Sequence, residues 1–240
     1  MKDLNQIFEK INTLTALVIG DVMIDAYSFG KVTRISPEAP VPVVDIIKKE
    51  NRLGGAANVA KNIKALGAKC LLCSIIGDDA EGEEFLRLIE KNQIVGDALV
   101  RSSDRKTTVK HRVMSGSHQL LRLDEEDKNA ITAEENNKLI QNIEEIIEKV
   151  DVIILQDYDK GVLNSKNISL IIQKANQLNI PVVVDPKKNN FSSYKNVNLF
   201  KPNLKEINEG FKLNIVPTDI DSLKNGVSSL REQMNIENVL

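Results

Sequence analysis

Asn51-Arg-Leu-Gly-Gly-Ala-Ala-Asn-Val-Ala-Lys-Asn-Ile-Lys-Ala-Leu-Gly67 sets two adjacent glycines directly before a short amphipathic pattern. Lacking Cβ atoms, Gly54 and Gly55 allow a sharp backbone turn and the close approach of a ligand to their amides. From Ala56 onward Val59, Ala60, Ile63 and Leu66 recur at spacings of three and four, which predicts a helix with one apolar stripe that Gly67 closes. The first turn of such a helix suits a polar or anionic ligand, because its N–H groups have no acceptor within the helix. A Gly-Gly pair equally suits a plain tight turn, so its neighbours decide.

Before this stretch, Leu14 to Gly20 is apolar and β-branched and ends in Gly-Asp. That pattern predicts a fully buried parallel strand whose carboxyl end meets a ligand crevice. Asp21 and Asp25 follow, suited either to accepting hydrogen bonds from hydroxyl groups or to a solvated turn. Val32 to Ile47 holds Pro37, Pro40 and Pro42 within a β-prone sequence, which bars a central strand and predicts an edge or projecting arm. Its companion is Thr107 to Asp124, read as two strands around Ser-Gly-Ser-His. Alternation puts Lys110, Arg112 and Met114 on one face and Val109, His111 and Val113 on the other. These segments, 32–47 and 107–124, are expected to form a small sheet apart from the main one. Between them come a strand near Leu71 to Ile76 and Gly77-Asp-Asp-Ala-Glu-Gly82 leading into a helix with Phe85, Leu88 and Ile89.

Beyond residue 130 the rhythm is regular. Thr132 with Glu135 forms a capping box for a helix whose face is Leu139, Ile143, Ile146 and Ile147. A strand at Asp151 to Leu155, a helix from Ser165, a strand at Val182 to Val184 ending in Asp185-Pro-Lys187, and a strand at Val197 to Phe200 ending in Lys201-Pro-Asn203 follow. This βαβα order predicts an α/β fold, a mostly parallel sheet flanked by helices. The strand ends bring Asp157-Tyr-Asp-Lys-Gly161, Asp185-Pro-Lys187 and Asn203-Leu-Lys-Glu206 to the carboxyl edge, where ligands of open α/β sheets bind. Asn203 to Glu206 also reads as a plain helix cap. Glu125-Glu-Asp127 reads as a solvated loop, and Lys110, Arg112 and Arg122 as strand-surface charges.

Composition excludes several classes. With 240 residues, a net charge of −2 and no tryptophan, the chain has neither the basic field nor the stacking aromatics of a nucleic-acid binder. No apolar run reaches the ~20 residues of a membrane span, and the mixed start is unlike a signal peptide, so a cytoplasmic protein is expected. Cys70 and Cys73 sit three apart in a predicted buried strand, where side chains alternate, so they face opposite ways rather than forming a redox or zinc pair. Neither a G-x-x-x-x-G-K-[ST] loop nor a G-x-G-x-x-G motif is present, which argues against P-loop and Rossmann enzymes.

Gly20-Asp-Val-Met-Ile-Asp25, Arg34-Ile-Ser-Pro-Glu-Ala-Pro-Val-Pro-Val-Val44 and Gly54-Gly-Ala-Ala-Asn-Val-Ala60 resemble the ribokinase (PfkB) family of sugar kinases. Within it the pattern is nearest to the kinases of D-glycero-D-manno-heptose 7-phosphate. The resemblance runs from about Leu14 to Leu240 and implies a ribokinase-like fold in which the small β-sheet is a lid. It implies ATP-dependent phosphorylation of a sugar phosphate at the 1-position, with Mg2+. An alternative is a non-catalytic sugar-phosphate-binding and dimerisation module, or a kinase for another sugar. Carried onto this chain, the resemblance puts Asp25, Gly54, Gly55, Asn58, Asp157 and Lys160 around the acceptor sugar. It puts Asp185, Lys187, Asn203 and Glu206 near the nucleotide phosphates, with Glu206 toward the metal. A 7-phosphate needs a cationic cradle, for which Arg34, Lys110, Arg112 and Arg122 are the candidates.

The family's Gly-Ala-Gly-Asp signature, which supplies an anion hole and the catalytic base, does not occur in this sequence. The chain is therefore expected to be a C-terminally truncated kinase domain, residues 1–240, with its base beyond Leu240 and little activity by itself. A homodimer through the lids is expected, with Val109, Val113 and Leu121 on the buried face.

Overall fold

The computed structural model describes residues 4–211, 215–216 and 218–240. In chain order, α1 (Leu4–Ile11) leads into β1 (Thr15–Gly20), and two long strands, β2 (Val22–Ile35) and β3 (Pro42–Gly55), run out and back before α2 (Ala56–Ala65). β4 (Lys69–Cys73), β5 (Ile75–Gly77), α3 (Ala80–Lys91) and β6 (Val100–Ser102) precede the hairpin of β7 (Val109–Ser115) and β8 (His118–Glu125). The rest alternates through α4 (Ala133–Ile146), β9 (Val152–Gln156), α5 (Ser165–Gln177), β10 (Val182–Asp185), β11 (Leu199–Phe200), α6 (Leu204–Phe211), α7 (Ile220–Met234) and β12 (Asn238–Val239).

Six strands form the main sheet in the order β12-β11-β10-β9-β1-β4, and every pairing is parallel. β1 lies inside it and feeds both faces: Leu17 and Ile19 join a core built with α4, α5 and α7, while Val18 joins a second core built with α2 and α3. Burial on both faces explains why β1 reads as a continuous apolar run. The cysteines behave likewise, Cys70 in one core and Cys73 in the other, and burial pushes both thiols up to about 12. At that value neither is a nucleophile. The expected capping box is formed, with Glu135 N donating to Thr132 Oγ1 at 3.2 Å and Thr132 N to Glu135 Oε2 at 2.6 Å.

A separate four-stranded sheet, in the order β3-β2-β7-β8, forms the lid, with β2 and β7 parallel and the outer pairs antiparallel. It is longer than residues 32–47 and 107–124. β2 begins at Val22 and β3 continues to Gly55, because the prolines mark the tip rather than the arm: Pro37 and Pro40 fall between the strands and Pro42 is the first residue of β3. The stretch from Leu71 to Ile76 is two strands, not one. It breaks at Ser74, whose hydroxyl donates to Gly20 O at 2.6 Å, after which β5 leaves the main sheet to pair with β6. Val109 sits in the body core with Ile24 and Leu53, so it is not available to an outer lid face. Among the described residues no helix is long and apolar enough to cross a membrane.

Candidate functional site

The lid and the body meet where β3 ends. Gly55 caps α2 with φ 58 and ψ −137, a backbone open to glycine and closed to other residues, and Ala56 N donates to Asp21 O at 2.9 Å. Gly54 stands beside Asp25 so closely that a Cβ on it would lie 2.6 Å from Asp25 Oδ2. Asn58 is exposed on the first turn of α2. The register places Asp25 opposite Arg52 and Lys110, and Tyr27 opposite Arg112. Alternation then gathers Asp25, Tyr27, Lys110, Arg112, Arg122 and Asp124 on one face of the lid.

The cations of this face are already matched with acids. Arg112 donates to Asp25 Oδ1 at 2.6 Å and lies over the Tyr27 ring, 5.3 Å from its centroid. Asp124 takes Arg122 at 2.9 Å and Lys110 at 3.3 Å. Any anion approaching Lys110, Arg112 or Arg122 would compete with these internal carboxylates. Arg34 stands apart. It is exposed near the far end of β2, nine positions from Asp25, which at strand rise is about 30 Å away.

Asp157, expected at the acceptor, is buried at 1% exposure with both oxygens engaged: Oδ1 accepts from Asp159 N at 2.8 Å, Oδ2 from Tyr194 Oη at 2.6 Å and Asn190 Nδ2 at 3.0 Å. These bonds hold the loop after β9 in shape, and at this burial the carboxylate is withdrawn from the surface. Asp21, equally buried, fastens the same loop, accepting from the backbone N–H groups of Tyr158, Lys160 and Val162 at 2.7, 3.2 and 3.1 Å. Burial, reinforced by the charge on Asp157, pushes the Asp21 carboxyl up to about 6 against those three donors. Lys160 is not open either. Its ammonium lies 2.7 Å from Glu126 and is 13% exposed. The loop expected to be solvated at Glu125-Glu-Asp127 thus carries a packed acid, Glu126, at 11% exposure. Its local partner is Lys128 at 2.9 Å, but the lysines that bury it, Lys110 and Lys160, come from other elements. An open cleft of about 1030 Å³ borders Asp124, Glu126, Arg105 and Lys106, yet it contains none of Asp25, Gly54, Gly55, Asn58 or Asp157.

Register aligns Gly20, Gln156 and Asp185 at one edge of the sheet. There Asp185 accepts from Gln156 Nε2 at 2.9 Å and faces Lys201 at 3.4 Å. Lys187 pairs with Glu206 Oε1 and lies 6.0 Å from the centre of the Tyr158 ring. Burial opposes the Lys187 charge, but Glu206 outweighs it and holds the ammonium above its ordinary value. Asn203 and Glu206 form a capping box, Glu206 N donating to Asn203 Oδ1 at 2.9 Å and Asn203 N to Glu206 Oε2 at 2.8 Å. Lys187 and Lys201 are two cations at this edge, each paired with an acid. Glu206 is engaged once at each oxygen, by Lys187 at Oε1 and Asn203 N at Oε2, and keeps a second lone pair on each with which it could meet Mg2+ or a metal-bound water.

Residues 14–240 match the pfkB family carbohydrate kinase. The chain is 39% identical over 239 residues to the Bifunctional protein HldE of Pelobacter propionicus, covering 100% of this chain and 49% of that protein. It is 43% identical over 216 residues to the protein of the same name from Campylobacter jejuni subsp. jejuni, covering 90% of this chain and 45% of that one. The chain thus spans about half the length of these relatives. Escherichia coli phosphofructokinase-2 in complex with fructose-6-phosphate superposes with a TM-score of 0.73 at 19% identity over 95% of this chain and 72% of that one. A putative phosphofructokinase from Staphylococcus aureus gives 0.71 at 17% over 94% and 70%. Those structures establish the ribokinase-like fold, and the match of residues 14–240 establishes the lineage: the chain belongs to the pfkB family of carbohydrate kinases.

Proposed function

We propose that the chain binds D-glycero-D-manno-heptose 7-phosphate as the acceptor for ATP-dependent phosphorylation at the 1-position. The observation that carries this reading is the meeting of Asp25 with the Gly54-Gly55 turn beneath the cationic face of the lid. The carboxylate can accept sugar hydroxyls, and Arg112 and Arg122 offer guanidinium forks to a phosphate. The relatives named HldE and the motif resemblance to heptose 7-phosphate kinases support this choice of sugar. The family uses ATP with a divalent metal, and Lys187 and Lys201 would face the nucleotide's phosphates at the sheet edge. The base of the Gly-Ala-Gly-Asp signature is not among these 240 residues, so acceptor binding is the readout to use.

The test is calorimetric titration of heptose 7-phosphate into the wild type and Asp25→Ala. Losing a charged hydrogen-bond partner costs about 2 kcal/mol, so affinity is expected to fall about 30-fold. Unchanged affinity in Asp25→Ala sinks the acceptor site, and equal affinity for unphosphorylated heptose sinks the lid cradle.

The outer face of the lid supports pairing of two copies. Register puts Ser28 beside Val113, His111 beside Leu123 and Val113 beside Leu121, and Leu121 is 52% exposed. Such a face is a self-association surface on a sheet that stands off the body. Light scattering at micromolar concentration is expected to give twice the 26.7 kDa chain mass; a monomer mass would reject the pairing.

A further inference from the structure

A chain of alternating charges crosses from the outermost lid strand to the body. Arg122 lies 2.9 Å from Asp124, Asp124 3.3 Å from Lys110, Lys110 3.6 Å from Glu126 Oε2, and that same oxygen 2.7 Å from Lys160. Its two ends differ. Arg122 is half exposed at the ligand-facing surface of the lid, whereas Lys160 is packed into the loop that Asp21 and Asp157 hold, and its carbonyl accepts from Arg105 at 2.6 Å. Glu126 joins the two halves. Both lysines contacting its Oε2 are largely withdrawn from water, at 17% and 13% exposure, so neither is an open cation waiting for a ligand. Burial works against ionisation of Glu126, yet the ammoniums of Lys160 and Lys128 outweigh it and bring the carboxyl down to about 2. The link therefore stays charged across the physiological range.

Removing that anion would leave Lys110 with Asp124 alone and take from Lys160 the carboxylate 2.7 Å away, so that no opposite charge would bridge the two ammoniums and they would separate. Because Lys110 lies on β7 and Lys160 in the loop after β9, separation shifts the β7-β8 hairpin against the body.

We propose that Glu126 is a positioning residue of the acceptor site: by clamping Lys110 of the lid to Lys160 of the body, it sets Arg112 and Arg122 at the height where they recognise the acceptor's phosphate. This rests on the reading of the site as one for a sugar phosphate. Glu126 acts through the two lysines and touches no substrate. The clamp acts on β7 and β8, which carry Lys110, Arg112 and Arg122, whereas Asp25 and Gly54 lie on β2 and β3 close to where these strands join the body, so recognition of the phosphate suffers more than that of the sugar ring.

The test is a cycle of Glu126→Gln, Lys160→Met and the double variant, with thermal melts to confirm folding and titration of heptose 7-phosphate and unphosphorylated heptose. Each single variant is expected to lose about tenfold in affinity for the phosphorylated sugar, the range of coupling measured between contacting residues. Unphosphorylated heptose should bind Glu126→Gln within twofold of wild type. The double variant should be no worse than the singles, and Glu126→Asp should recover part of the loss. The proposal is overturned if Glu126→Gln binds the phosphorylated sugar as well as or better than wild type. It is also overturned if both sugars are lost equally, or if the two single effects multiply. A wild type that binds neither sugar defeats the sugar-phosphate reading itself, and the clamp with it.

Discussion

Gly55→Ala is expected to destabilise the protein by roughly 3–5 kcal/mol and to abolish sugar-phosphate binding, whereas Gly116→Ala should cost about 1 kcal/mol and leave binding intact. Both glycines have positive φ, 58 and 57, so both pay for a left-handed backbone when given a Cβ. Their surroundings separate them. At Gly116, in the turn between β7 and β8, an added Cβ meets nothing within 4 Å, while at Gly55 it would lie 2.3 Å from Asp21 O and 3.0 Å from Met23 Cε. A carbonyl in the backbone cannot rotate away as a flexible side chain can, so either β2 or the start of α2 must move. Either movement breaks the bond from Ala56 N to Asp21 O and carries Gly54 off Asp25. For a chain of 240 residues the loss at Gly55 corresponds to a fall in Tm of about 10 °C. Melting curves and a heptose 7-phosphate titration on the two variants check it. Equal losses at Gly55 and Gly116 would show that close approach is not what the Gly-Gly pair provides.

Features set within a few residues were legible from the sequence. The apolar run of β1 and the Thr132 with Glu135 capping box depend on spacings of one to four, and the folded chain carries them as expected, while the helix α2 forms but buries Ala56, Ala57 and Ala60, with Val59 and Ile63 half-buried and Leu66 exposed. The prolines signal the separate sheet, but they mark its tip and not its arms, so the arms are longer than the sequence predicts. What could not be read was which polar groups find each other over distance. Arg112 reaches Asp25 across 87 positions, and Tyr194 reaches Asp157 across 37. Asp157 sits at a strand end as expected, yet Tyr194 and Asn190 turn a candidate ligand group into a buried support. Glu126 was hidden for the same reason: three consecutive acids look solvated until a sheet return places one of them between two lysines. The family resemblance could name residue roles, but it could not say which carboxylates already have partners.

Asp21 is such a case, and its partners give the second large effect. Asp21→Ala is expected to cost roughly 3–5 kcal/mol, because the backbone N–H groups of Tyr158, Lys160 and Val162 would lose their acceptor in a site that water does not reach. Asp21→Asn keeps one acceptor oxygen and isolates the charge. The folded carboxyl is pushed up to about 6 by burial and then by Asp157, while an unfolded Asp titrates near 3.9. The folded state therefore holds the proton more tightly, and between about pH 6 and pH 4 protonation of Asp21 favours folding. The ionised form present at neutral pH carries a cost that acidification relieves. The sign is opposite to that of a carboxylate held below its ordinary value, such as Asp79, where Thr107 and Gly82 donors overcome burial and stability is lost as pH falls. Comparing wild type with Asp21→Asn cancels the other carboxylates, so urea denaturation at pH 7 and pH 5 should show the gap moving in favour of the wild type by about 1 kcal/mol. A gap that stays constant, or moves toward the variant on acidification, would mean that the three backbone donors outweigh burial and that Asp21 folds as an ordinary ionised carboxylate.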